Sequence, residues 1–256
     1  LALLSRWNPH AAWQANPDTF RKLLAPGAPL ETLLADPFLF GTLRDRLRKT
    51  WPAAELSRLH ELLDASPRAH QLAILIHRDL APEDTPFVER LLQDPDLELR
   101  RMAVQWAAEE RLASLRPAVE ALLSRPDTTP LLFRAVLAAV AIYDGTPGLQ
   151  YEDRPNNQLL LPIITDAARP AQIRALALSL IDPRTPELKS DLFRELLKSD
   201  NLELRREAVG TLLFAQPDNL AELLQPIPAD PHQPAALRAD SLLALAARLP
   251  EKKPGD

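Results

Sequence analysis

Arg100, Arg134, Arg174, Arg205 and Arg238 stand at matching places in five similar segments, spaced about 30 to 40 residues apart. A guanidinium repeated at one register forms a ladder, and a ladder of permanent cations offers two kinds of chemistry. Open to solvent, it is a stripe that binds anions. Turned inward, each planar multi-donor head ties down loop carbonyls or carboxylates of its own or the neighbouring segment. The inward reading is favoured, because a residue repeated in every unit serves the contact between units. Acidic helix caps such as Asp96 and Asp200 are the expected partners.

The other reactive residue types are sparse. The histidines are His10, His60, His70, His77 and His232. None lies three or four residues from another, the spacing by which one helix offers two imidazoles to a metal. Zinc needs three or four converging ligands, so no metal site is expected. The chain has no cysteine, which excludes disulfides, thiolate ligands, thiol nucleophiles and covalent haem attachment. No nucleophile elbow, phosphate loop, zinc-protease helix or dinucleotide fingerprint is present. Carboxylates are plentiful, but no glycine-rich or irregular pocket is in view to shift their pKa values for acid–base work. No catalytic residue and no cofactor are therefore expected, and the chain reads as a non-enzyme.

Two stretches break the regular spacing. Gly145 to Asn157 lengthens one interval and carries Tyr151, Glu152, Asp153 and Arg154. Aromatic and arginine side chains anchor interfaces, so this is a candidate contact loop, with a tolerated insertion as the competing reading. The second is the N-terminal stretch, residues 1–35, with Trp7, Trp13 and Phe20. It reads as a cap over the first repeat or as the edge of an upstream domain. The chain begins without Met and without a basic segment leading into an apolar run. It is thus expected to lack a signal peptide at this point and to be a piece of something longer or processed.

The elements that carry these residues are helical. Gly 6 against Pro 26 leaves little for hairpins, while proline suits first helical positions and the residues beyond helix ends. Net charge is -5, so no global basic field is present to hold nucleic acid. The longest apolar run, Ala135 to Tyr143, is too short to cross a bilayer. The pentapeptide Leu-Glu-Leu-Arg-Arg begins at Leu97 and again at Leu202, three units of about 35 residues apart. Leu99, Met102, Ala103, Trp106 and Ala107 follow a helical stripe, as do Ile173, Leu176, Ala177, Leu180 and Ile181. Asp200 with Glu203 predicts a capping box, and Asp94-Pro95 and Asp36-Pro37 predict proline at first helical positions. Shorter partner helices precede these, with apolar faces Phe87, Val88, Leu91, Leu92; Leu115, Val119, Leu122, Leu123; and Leu188, Leu192, Leu196, Leu197. His70, and further upstream Thr42, hold the ladder position in the earlier copies. The unit is helix, turn, helix, turn, and stacked units share one core.

The stretch Asp94-Pro-Asp-Leu-Glu-Leu-Arg-Arg-Met-Ala-Val104, with the Arg-Ala copies at 134, 174 and 238, resembles HEAT repeats of the short bacterial kind. The resemblance spans residues 36–249, with 250–256 left as a polar tail. It implies an all-α, right-handed α-solenoid of about six to seven helix pairs, an armadillo-like helical architecture. It also implies a non-catalytic protein–protein interaction scaffold, whose partner is another protein or a neighbouring domain of the same chain. Phe133-Arg-Ala-Val-Leu-Ala-Ala-Val140, the long loop, and Pro170-Ala-Gln-Ile-Arg-Ala-Leu-Ala-Leu178 also look like the HEAT stretch of large bacterial exported proteins that carry a β-propeller and a c-type haem domain. That likeness implies a connector or docking module of an electron-transfer or dehydrogenase-like protein, periplasmic or exported. Propeller and haem motifs are absent from these residues, so no redox chemistry is assigned to them.

Overall fold

The computed structural model describes residues 6–145 and 157–247. Among these residues the protein is all-α, without a strand, and helices that are neighbours in sequence pack on one another. It divides into two compact units, residues 1–91 and 92–256. The boundary falls inside the span 36–249 read above as one run of repeats.

The first unit contains α1 (Pro9–Ala15), α2 (Pro17–Leu24), α3 (Pro29–Leu34), α4 (Pro37–Thr50), α5 (Leu56–Leu63), α6 (Pro67–Leu80) and α7 (Thr85–Leu91). Each of α1, α2, α3, α4 and α6 opens on proline, where the missing N–H would have no intrahelical partner. Asn8, Asn16, Asp36 and Ser66 precede four of these prolines and accept backbone N–H groups of the first turn. Trp13 and Phe20 are buried in one core with Leu43, Leu47, Leu59 and Leu72. The N-terminal helices thus close the apolar side of α4–α6.

The second unit contains α8 (Leu97–Glu109), α9 (Arg116–Ala121), α10 (Pro130–Tyr143), α11 (Asn157–Thr165), α12 (Ala171–Leu180), α13 (Ser190–Leu196), α14 (Leu202–Ala215), α15 (Leu220–Leu224), α16 (Pro226–Ala229) and α17 (Ala235–Ala246). Long helices pack on the next long helix, α8 on α10, α12 on α14 and α14 on α17, and the short helices pack on the long ones that follow them. The stripe predicted for α8 is buried, from Leu99 through Met102, Ala103 and Trp106 to Ala107.

Several local expectations shift by a residue or a turn. The cap of α14 is Asn201, whose Oδ1 accepts from Leu204 N at 2.9 Å, so Asp200 lies outside the helix. The cap of α8 is Asp96, accepting from Glu98 N, which leaves Pro95 before the helix rather than at its first position. In α13 the buried face is Phe193 and Leu196, with Leu192 only half-buried and Leu188, also half-buried, lying before the helix. Phe87 likewise leaves the core face of α7 and lies over two histidine rings. No helix among the described residues is long and apolar enough to cross a membrane.

Candidate functional site

The ladder arginines occupy one geometric slot, the fourth residue after the N-cap. Counting from Asp96, Pro170, Asn201 and Pro234 gives Arg100, Arg174, Arg205 and Arg238. Arg100 is 2% exposed and Arg174 7%. Arg174 donates from Nε to Ile164 O at 2.8 Å and from Nη2 to Glu195 Oε1 at 2.7 Å. Arg238 donates to Pro228 O at 3.3 Å, and Arg205 to Gln233 Oε1 at 2.8 Å. Arg100 Nη2 reaches Asp127 at 2.8 Å and Pro95 O at 3.4 Å. Its Nε and Nη1, and Arg205 Nε, are buried without partners. Ile164 and Pro228 lie in the last turns of the short helices α11 and α16, where the carbonyls lack intrahelical donors and carry the negative end of the dipole. Arg174 and Arg238 cap the preceding helix there, and the other arm of Arg174 crosses to Glu195 in the next helix. The partner carboxylates are Asp127 and Glu195, not the caps Asp96 and Asp200. Hydrogen bonds from Arg100 and Arg125 hold the Asp127 carboxyl well below the usual carboxylate range.

Arg134 stands apart from this set. The cap of α10 is Thr129, so the fourth residue is Phe133, fully buried, and Arg134 is the fifth. One residue is about 100° of helix rotation, which turns Arg134 to solvent. The fifth position also holds Arg101 and Arg206, the second arginine of each Leu-Glu-Leu-Arg-Arg. Arg101 pairs with Glu98 and Arg206 with Asp240. Arg134 belongs to that outer row.

Two members of the outer row, Arg134 and Arg206, border two cavities of the second unit. One, ≈ 600 Å³, is lined by Arg134, Asp182, Arg184 and Phe214 among others. The other, ≈ 690 Å³, lies between α14 and α17, with Leu202, Val209, Gly210, Leu213 and Leu243 in its walls and floor. Phe214 is 69% exposed and Leu243 65%. Every exposed large apolar side chain described in this unit, with Leu131, Leu202 and Leu242 completing the set, sits on the long helices α10, α14 and α17. Tyr151, Glu152, Asp153 and Arg154 lie outside the described residues.

The first unit holds a cluster that single-helix spacing could not reveal. His60 Nε2 lies 2.8 Å from His77 Nδ1, and His77 Nε2 lies 3.1 Å from Asp84 Oδ2. A carboxylate only accepts, so Nε2 of neutral His77 carries the proton and its Nδ1 accepts from His60 Nε2–H. Phe87 covers both rings, with centroids at 4.7 and 4.0 Å. Burial, then the neighbouring His77, His70 and Arg90, push His60 down to about 3, against a smaller opposing pull from Asp84. Burial also lowers His77, opposed by its bond to Asp84. A carboxylate–imidazole–imidazole chain has the form of a proton relay, but a general base working at neutral pH needs a pKa near 7. His60 is a poor one. Among the described residues no group of three or more His, Asp or Glu is arranged to hold a metal ion.

No known family's sequence profile matches the chain, and no curated protein matches it.

Proposed function

We propose that the chain is a non-catalytic interaction scaffold, a right-handed solenoid of about six to seven HEAT-like helix pairs that binds a protein partner along its long helices. The observation that carries this reading is the segregation of exposed apolar side chains in the second unit. Leu131, Leu202, Phe214, Leu242 and Leu243 share the long helices with both cavities, while the two buried ladder arginines are turned inward, Arg174 to Ile164 O and Glu195 and Arg100 to Asp127. Exposed apolar surface grouped beside grooves is the mark of an interaction face.

The experiment is affinity capture from the source cells, with the intact chain as bait beside a Leu131→Ser/Phe214→Ser variant. Both residues are about two-thirds solvent-exposed in the fold, so stability stays within about 0.5 kcal/mol. The expected result is a discrete partner retained by the native chain and lost by the variant. Equal capture by both would sink the long-helix face as the binding surface. Capture of nothing by the native chain would leave a connector between domains as the better account.

A further inference from the structure

Gly210 is the ninth residue of the fourteen-residue helix α14. Glycine at such a position destabilises a helix by roughly 1 kcal/mol relative to alanine. Its backbone is not left-handed, and a Cβ added there meets no atom within 4 Å. Neither conformation nor packing inside the chain requires glycine. Gly210 forms part of the ≈ 690 Å³ groove between α14 and α17, so the missing side chain leaves the helix backbone open to a visitor from outside.

The walls describe that visitor. Leu202, Val209 and Leu213 of α14 face Leu243 of α17 across the groove. Four charged groups border it. Arg206 and Asp240 neutralise one another through a 2.7 Å bond. Glu203 and half-buried Glu207 have no ion pair among the described residues, and burial raises the Glu207 carboxyl, with Glu203 adding to the effect and Arg206 opposing it. The groove is thus apolar within, open at one glycine and negative on balance, with Glu203, Glu207 and Asp240 against the one cation Arg206.

We infer that this groove docks an amphipathic, basic helix of a partner protein, with apolar side chains between Leu202 and Leu243, its axis crossing α14 at Gly210, and Lys or Arg beside Glu203 and Glu207. Helices pack at 8–10 Å according to the side chains at the contact, and glycine at the crossing allows the near end of that range. Recognition by an apolar helix face in a groove, with flanking charges setting its direction, follows the same physics. The inference rests on the scaffold reading and names the kind of partner.

The test uses the whole chain and a labelled synthetic helix of Leu, Ala and Lys, about four turns long, with leucines along one face. A matched peptide with Glu in place of Lys is the control. Fluorescence anisotropy should show the basic peptide binding and the acidic one failing to bind. Gly210→Met, compatible with a helix, should weaken binding by about tenfold or more, and Glu203→Gln/Glu207→Gln by a similar factor with a flatter salt dependence. Gly210→Ala should weaken it by a smaller factor while folding at least as well, so a loss cannot be laid to unfolding. Gly41, equally open in α4, gives the control Gly41→Met, which should leave binding unchanged. Unaltered affinity in Gly210→Met, or equal binding of the acidic peptide, overturns the inference. So does self-association of the chain that Gly210→Met abolishes, since the occupant would then be a second copy. If the Gly210 variants leave capture of the natural partner intact while Leu131→Ser/Phe214→Ser removes it, the scaffold reading stands and the groove assignment falls.

Discussion

The slot four residues after the N-cap is filled differently in the two units. In the second it holds arginine in four helices, at Arg100, Arg174, Arg205 and Arg238, and Phe133 in α10. In the first it holds Phe40 in α4 and His70 in α6. The task of tying a helix end passes there to Arg68, which donates to Leu34 O at the end of α3 at 3.0 Å while lying 4.3 Å over the Phe40 ring. His70 edges toward His60, ring centroids 6.2 Å apart, beside the His60–His77–Asp84 chain. Both units thus tie helix ends with arginine, and the first also surrounds this register with imidazoles. The same slot tolerates either because the requirement is filling and satisfying a helix junction, not a particular residue. The consequence is a difference in response to acid.

That difference predicts the largest effect. His60 and His77 have folded pKa values below the ordinary histidine value of about 6.5. Between the folded and unfolded values the unfolded chain binds more protons, so stability rises with pH across that window and falls as pH drops below about 6.5. For His60 the loss continues toward pH 3. Each histidine contributes at most about 1.4 kcal/mol per pH unit. Hydrogen exchange from neutral pH to about pH 4.5 should show α5 and α6 losing protection before α12 and α14. His60→Leu/His77→Phe should remove the extra acid sensitivity of the first unit. Parallel loss in both units, or an unaltered slope in the double variant, would mean the imidazoles do not set the difference.

Next in size is the buried end of the ladder. Arg174→Ala removes bonds to Ile164 O and Glu195 at once and leaves the last turn of α11 without its donor. Charge-assisted bonds of this kind contribute about 1.5–3 kcal/mol each, and Glu195 is half-exposed, so a net loss of about 2–3 kcal/mol is expected by denaturant unfolding. A loss below about 0.5 kcal/mol would show that water replaces the guanidinium at no cost.

Much of this architecture was legible in the residues. Helical stripes, proline-led starts and the doubled Leu-Glu-Leu-Arg-Arg point to paired helices, and the ladder slot was visible at Arg100, Arg174, Arg205 and Arg238. What escaped depends on distance in sequence or on one residue of phase. His60 and His77 lie on different helices, α5 and α6, so a search for imidazoles one turn apart passes over them. Gly210 drew no reading from the sequence, because its open surroundings are set by α17 packing on α14. Thr42 was aligned to the ladder two residues beyond Phe40, since α4 offers no arginine to fix the phase.

The smallest effect tests that phase directly. Arg134 matches Arg174 and Arg238 by its following alanine, and the sequence alone places all three together. Counted from Thr129 it is the fifth residue of its helix, exposed, with no hydrogen bond or ion pair to any described residue. Its slot in the ladder belongs to Phe133, which is fully buried. Arg134→Ala should therefore change unfolding free energy by no more than about 0.5 kcal/mol, against the several-fold larger loss for Arg174→Ala. Both arginines precede alanine and both are followed by an apolar stripe, so composition cannot separate them; only rotation about the helix does. Equal losses in the two variants would mean that α10 starts one residue later than Thr129 allows. Phe133 would then leave the core, and the outer row of Arg101, Arg134 and Arg206 would dissolve with it.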